Sequence, residues 1–380
     1  MKVALIHDHL AQEGGAEKVL KVLSDIFPEA PIYTLLYDKK KVAKNFADRH
    51  IESSVIQRLP GGIKHYKWYL PFMPMAVEFF DLRPYDLVIS DASAFAKGVI
   101  TSPNTTHICY CHTPTRYLWS DAHQYLNELK YNKWLKKIIS LILGGLRIWD
   151  YNAAQRVDYY IANSKTVAKR INKYYRRSAQ LIYPPVETEK FMISDLSKQI
   201  KEEQYFLIGC RLTPYKRVDI VIEAFKKLGP NYRLKVFGDG HDLKRLKNIA
   251  DLASNIEFLG RVDESEKAKL YSEALAFINP QEEDFGITTI ESMAAGRPVL
   301  AYNRGGASET IIAGRNGLFF EEQSSSAIAN LVREFSADLE NGKKIWDSKE
   351  IKTMSDKYSI NNFKDQLFSF LKAKNIDLNK

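Results

Sequence analysis

The chain has 380 residues, 45% of them hydrophobic and 27% charged, and a formal net charge of +9. That length exceeds the usual single domain, so two α/β domains are expected, and the composition is that of an ordinary soluble globular protein. The three cysteines, Cys109, Cys111 and Cys210, are an odd count without a second pair. They suggest reduced thiols rather than a disulfide scaffold or a zinc site.

Residues 3–7 read as a continuous apolar strand entered directly from Met1, without a secretory leader pattern. Gly14-Gly15 then opens a helix that runs to residue 26 and is stopped by Pro28. Short apolar strands follow at 32–36, 87–90, 107–110 and 159–163, each succeeded by helical pattern, as in a parallel sheet with crossover helices. The longest apolar run, 138–146, is broken by Gly144-Gly145 and is about half of the ~20 residues that span a bilayer. Between Tyr183-Pro184-Pro185 and Glu203 the chain turns polar and irregular, which sets the domain boundary. A second series follows, with strands at 205–209, 233–237, 256–259, 275–278, 298–301 and 317–320 and helices at 217–228, 242–253 and 290–295. Residues 363–372 are amphipathic and form a terminal helix. The expected domains are 1–185 and 186–350, with a helical segment 351–380 packing back toward the first. The fold class is α/β: two Rossmann-like domains facing each other across a cleft.

The positive charge is local. Residues 1–190 carry 27 Lys and Arg against 18 Asp and Glu, while the remainder balances at 28 and 28. Within 130–177 stand twelve basic residues against Asp150 and Asp158, which implies an anionic partner: lipid headgroups, nucleic acid or a phosphorylated substrate. In 131–147, Leu135, Ile138, Ile139, Ile142 and Leu146 recur at helical spacing beside Trp134, and Lys130, Lys133, Lys136 and Lys137 sit at one end. That is the composition of an interfacial helix; a core helix with a solvated basic rim is the competing account.

Chemistry is concentrated in the loops at strand carboxyl ends, where ligands sit in open α/β sheets. Glu283 lies in such a loop and Glu291 early in the following helix, eight positions apart. Two acceptor-only carboxylates beside helix amides suit a polyhydroxylated, phosphorylated ligand; a loop charge and a solvated helix residue are the alternative. Arg211 and Lys216 follow the first strand of the second domain and would together neutralise a diphosphate leaving group; two solvent-facing loop cations are the alternative. Gly238-Asp239-Gly240 reads as a turn. In the first domain, Gly14-Gly15 permits close backbone approach to a diphosphate or sugar but is neither a dinucleotide fingerprint nor a P-loop. His112 sits where a loop would meet the sugar end of a ligand; a hydrogen-bonded structural histidine is the alternative. His7-Asp8-His9 also ends a strand, but adjacent residues there point apart, which disfavours a metal site.

Taken together, Arg211 with Lys216, Gly238-Asp239-Gly240, Glu283 with Glu291, 295–299 (Ala-Gly-Arg-Pro-Val) and 305–309 (Gly-Gly-Ala-Ser-Glu) resemble the retaining glycosyltransferases of family 4, over essentially the whole chain. The resemblance implies the GT-B fold of two Rossmann-like domains, an N-terminal one for the acceptor and a C-terminal one for the nucleotide-sugar. It implies that Glu291 holds the ribose hydroxyls, that Arg211 and Lys216 hold the diphosphate, and that Glu283 with the Phe285 and Gly286 amides addresses the transferred hexose. Gly15 is implied to approach the diphosphate and donor sugar, and His112 the sugar hydroxyls. The run from His112 to Trp119 and Tyr183-Pro184-Pro185-Val186 resemble a mannosyltransferase branch of bacterial surface-polysaccharide assembly.

The expectation is a retaining hexosyltransferase using GDP-mannose, with no metal or other cofactor, a lipid-linked saccharide acceptor and no nucleic-acid partner. It would be cytoplasmic and peripheral at the anionic inner face of the cytoplasmic membrane. The rivals are a UDP-hexose-dependent transferase, a nucleotide-sugar epimerase, for which no acid/base pair is found, a phosphorylase-like enzyme carrying pyridoxal on a lysine, and a nucleic-acid-binding module, for which no motif is found.

Overall fold

The computed structural model describes residues 1–12, 14–129, 131–193, 204–342 and 346–378. Lys130, part of the expected basic flank, and 194–203, part of the expected domain boundary, lie outside the described residues. The chain forms two compact units, Met1–Pro185 with Phe363–Lys380, and Val186–Asn362. The break at 185 is where the Pro-Pro step stands. The second break falls at 362 rather than at the expected 350.

In the first unit the elements are β1 (Val3–Leu10), α1 (Gly15–Ile26), β2 (Ile32–Tyr37), α2 (Lys39–Phe46), β3 (Ile51–Ser53), α3 (Met73–Glu78), β4 (Leu87–Ala92), β5 (Thr106–Cys111), α4 (Ala122–Glu128), α5 (Lys133–Gln155), β6 (Tyr159–Ala162), α6 (Lys165–Tyr175) and β7 (Ala179–Leu181). The strands pair in parallel in the order β3-β2-β1-β4-β5-β6-β7. Helices lie on the faces of such a sheet, so its central strands are buried on both sides, which is why each carries a short apolar run. The edge strands β3 and β7 have three residues each with polar Glu52 and Gln180 at their centres; no apolar run marks them in the sequence.

The second unit contains β8 (Phe206–Gly209), α7 (Val218–Leu228), β9 (Leu234–Phe237), α8 (Leu243–Ala250), β10 (Ile256–Gly260), α9 (Glu264–Glu273), β11 (Ala276–Asn279), α10 (Ile287–Ala294), β12 (Val299–Tyr302), α11 (Ala307–Thr310), β13 (Gly317–Phe320), α12 (Ser325–Glu340) and α13 (Ser348–Ser355). Its parallel order is β10-β9-β8-β11-β12-β13. Helix starts are set locally: the Asp263 carboxylate accepts from the Glu266 amide at 2.8 Å, and the Ser324 hydroxyl from the Ala327 amide at 3.2 Å. The last helix, α14 (Ile360–Ala373), buries Phe363, Leu367, Phe370 and Leu371. Within the first unit, Phe363 meets Tyr110 edge-on at 5.9 Å and Phe370 meets Tyr159 at 6.2 Å.

The expected interfacial stripe of α5 divides in two. Leu146 is buried, with Leu143, and Ile139 and Ile142 lean on the same core. Leu135, Ile138 and Trp134 stay exposed, joined by Leu141 and Ile148. The core-facing half is tied down by Asp150, whose carboxylate accepts from Lys97 Nζ at 2.6 Å, Thr115 Oγ1 at 2.8 Å, Trp119 Nε1 at 2.7 Å and the Tyr175 hydroxyl at 2.8 Å. A buried charge with its lone pairs so occupied is tolerated. Thr115 and Trp119, in the run that follows His112, are thus structural. No described helix is long and apolar enough to cross a membrane.

Candidate functional site

Each sheet reverses strand order once, between β1 and β4 and between β8 and β11. The crevice at the carboxyl ends of such neighbours is where ligands bind in open α/β sheets.

In the second unit that position holds Lys216 and Glu283. Pairing of Phe206 with Ala276 and of Leu207 with Phe277 sets β8 beside β11, so the loops leaving both strands meet. There the Lys216 ammonium donates to the Glu283 carboxylate. Burial alone would push Lys216 down, but the Glu283 charge outweighs it and raises the ammonium above its ordinary range. Cys210 beside it is pushed up to about 12 by burial and stays a neutral thiol. Arg211 occupies the exposed side of the same loop, whose Leu212 amide donates to the Asp239 carbonyl at 3.0 Å. The Gly-Asp-Gly turn therefore supports the loop that carries Arg211.

Gly286 caps the start of α10 at φ +92°, and a Cβ there would stand 3.1 Å from Glu283 Oε2. The left-handed backbone favours glycine, and an added Cβ would press on that carboxylate. Behind the loop, the Gly306 amide donates to the Glu283 carbonyl at 2.8 Å, and a Cβ on Gly306 would meet the Phe285 carbonyl at 2.1 Å. Phe285 is itself buried, edge-on to Tyr358 at 5.5 Å. Lys216 on the loop after β8 thus meets Glu283 and Gly286 on the braced loop after β11.

Glu291 is placed differently from the reading of an early or solvated helix residue. Since α10 begins at Ile287, Glu291 lies beyond the first turn, and it is only 3% exposed. Its carboxylate accepts from Lys267 Nζ at 3.1 Å and from the Tyr271 hydroxyl at 3.3 Å, both on α9. Neither partner was legible as such: Lys267 stands among charged residues of an unremarkable helix.

In the first unit, register brings the groups together. His7 on β1 pairs with Asp91 on β4, and β5 pairs Cys111 with Ala92, so His112 follows immediately beyond. The His112 amide donates to the Ala92 carbonyl at 2.8 Å, and its Nε2 lies 2.6 Å from Asp91 Oδ1. Asp91 Oδ2 lies 2.8 Å from His7 Nδ1, and His7 Nε2 lies 3.8 Å from Glu17 Oε1. Burial alone would push Asp91 up, but the two imidazoles, His112 foremost, hold it below its ordinary range. Burial would likewise push His7 down, but Asp91 and Glu17 raise it to about 10, so it is an imidazolium at neutral pH. Asp91 and Glu17 were missed in the sequence; the one signal was an acid ending an apolar strand.

Gly15 is the first residue of α1. A Cβ on the preceding Gly14 would stand 2.9 Å from Glu17 Oε2. The strand-end triplet separates as alternation requires. His7 turns to Asp91, while Asp8 accepts the amides of Ser93, Ala94, Phe95 and Ala96 at 2.6–2.8 Å. His9 lies against Tyr66 with ring centroids 5.2 Å apart.

Two doubly wound parallel sheets, each with charged residues at its switch point, are the architecture of GT-B glycosyltransferases. The fold matches that of Anabaena HepE in complex with UDP and glucose, with a TM-score of 0.71 at 19% identity over 98% of this chain and 99% of that one. It also matches WaaG, a glycosyltransferase involved in lipopolysaccharide biosynthesis, with a TM-score of 0.66 at 16% identity over 96% and 98%. The model of Glycosyltransferase Family 4 matches residues 14–190, and that of Glycosyl transferases group 1 matches 193–349. Among relatives, the α-1,3/1,6-mannosyltransferase ALG2 of Dictyostelium discoideum is 23% identical over 98% of both chains. The Schizosaccharomyces pombe alg2 protein is 24% identical over 83% of this chain and 70% of its own. The chain belongs to the family 4 glycosyltransferases.

Proposed function

We propose that this glycosyltransferase transfers mannose from GDP-mannose, with retention of the α configuration, to a lipid-linked saccharide in surface-polysaccharide assembly. The observation that carries the reading is the Lys216–Glu283 pair on the loops leaving β8 and β11. Mannosyltransferase relatives support the choice of sugar. Arg211 and Lys216 take the diphosphate, and Glu283 with the Phe285 and Gly286 amides takes the hexose. Glu291 takes the ribose hydroxyls, and Gly15 and His112 meet the donor sugar. The C1–O bond to the diphosphate breaks while the acceptor oxygen bonds C1 on the same face, and the acceptor proton passes to a leaving phosphate oxygen. Stabilising the departing charge is then the main task of the two cations.

A UDP-hexose donor is the second reading, supported by the HepE structure with UDP and glucose. A panel of GDP-mannose, UDP-glucose and UDP-galactose, with product configuration read by NMR, separates the two. GDP-mannose turnover well above the others and an α-mannoside support the first reading; equal turnover removes the donor assignment, and a β-mannoside removes retention. The exposed part of α5, with Lys133, Lys136 and Lys137, docks the enzyme peripherally at the anionic inner face of the cytoplasmic membrane, where a lipid-linked acceptor resides.

A further inference from the structure

We infer that residues 63–79 form a second lipid-contacting element, so that the first unit meets an anionic bilayer through two elements rather than through α5 alone. This rests on the membrane reading above and specifies its surface. The segment comprises a 3-10 turn, Tyr66–Phe72, running into α3. Met73, Ala76 and Val77 face the core. On the other side Phe72, Met75 and Phe79 recur at i, i+3 and i+7, and all three are exposed, Phe79 by 65%. Trp68 in the preceding turn is 70% exposed and stacks only its face on His65, at 4.5 Å. A helix apolar on both sides is expected to be covered on both.

The outer stripe of α5 is built alike. Trp134, Ile138, Leu141 and Ile148 follow at i, i+4, i+7 and i+14, with Gly145 between, and Trp134 and Leu141 are 76% and 78% exposed. The two elements are joined. Glu78 of α3 accepts from Trp149 Nε1 of α5 at 2.9 Å and from Arg156, the residue that caps the end of α5, at 2.7 Å. Phe79 and Ile148, next in sequence to the joined residues, flank that joint.

Charge selects the occupant. Residues 60–77 and 131–149 contain no Asp or Glu, but they contain Lys64, Lys67, Lys133, Lys136, Lys137 and Arg147. Lys137 stands 5.0 Å over the Trp134 ring. Apolar and aromatic side chains set among cations complement a layer of anionic headgroups over hydrocarbon. A second copy of this chain would instead bring like charges together.

The test is co-sedimentation of the full chain with phosphatidylcholine vesicles, with and without phosphatidylglycerol. The variants are Trp68→Ser/Phe72→Ser, Lys64→Glu/Lys67→Glu and Trp134→Ser/Leu141→Ser, with thermal unfolding as the control for folding. The wild type should bind the anionic vesicles only, and each variant should lose about tenfold or more in affinity with unchanged unfolding. Wild-type binding by Trp68→Ser/Phe72→Ser, alongside loss in Trp134→Ser/Leu141→Ser, overturns the second element and leaves the α5 reading standing. No wild-type binding to either vesicle overturns the membrane reading and the inference with it. Equal binding to both overturns the anionic partner. Vesicle-independent dimerisation abolished by Trp68→Ser/Phe72→Ser would assign the face to self-association instead.

Discussion

Asp91 holds the His112 imidazole by its Nε2 at 2.6 Å, from a carboxylate that is itself almost fully buried. Its other oxygen is taken by His7, so the His112 ring has one orientation in which the pair is satisfied. Asp91 is therefore a positioning residue for the side chain proposed to meet the donor sugar.

Asp91→Asn should lower turnover by about 10- to 100-fold, the effect of a misplaced reactive group, while donor KM changes far less. His7→Gln removes the other side of the carboxylate and should lower the unfolding temperature with a smaller effect on turnover. Steady-state kinetics and calorimetry on both variants check this. Equal kinetic defects in the two would reduce Asp91 to a packing role.

Stability should depend on pH through His7. Its folded value, about 10, lies above the ordinary 6.5, so the folded chain binds the proton more tightly. The stabilisation is complete below about pH 6.5 and is lost as pH rises toward 10, by at most about 1.4 kcal/mol per pH unit. Denaturant unfolding across that range should show the decline. It should be shallower in Asp91→Asn, where the main attraction on His7 is gone.

Glu283→Gln should abolish transfer while nucleoside diphosphate binds no more weakly than to wild type. The carboxylate that now engages Lys216 is removed, and the ammonium remains available to phosphate oxygens. Calorimetric titration with GDP, beside a transfer assay, reads both quantities. Loss of GDP binding would place Glu283 at the diphosphate rather than at the sugar.

Gly286→Ala should cost about 1–2 kcal/mol of stability, the penalty of a left-handed backbone with a Cβ, because φ there is +92°. Transfer should suffer more than stability, since the new methyl meets Glu283 Oε2. Denaturant midpoints and initial rates on the same preparation compare the two. Unimpaired transfer would mean that the loop relaxes freely.

The sequence by itself determined the two α/β series and their order. A strand buried on both faces carries an apolar run, and the loops at the carboxyl ends stand out as polar. Arg211, Lys216, Glu283 and His112 were legible for that reason. The short edge strands Ile51–Ser53 and Ala179–Leu181 were not, because an edge needs no apolar run. What only the tertiary structure decided is which of those polar groups meet. Lys216 and Glu283 are 67 positions apart and His7 and Asp91 are 84; each pair forms because parallel register sets two distant strands side by side. The same holds for Glu291, whose depth behind Lys267 and Tyr271 follows from the packing of α9 on α10. It also holds for the apolar positions of α5, which periodicity marked as one stripe and packing divided between core and surface. Local pattern specifies an element and its faces, but the partner of each face is set by contacts distant in sequence, and a single chain's periodicity carries no record of them.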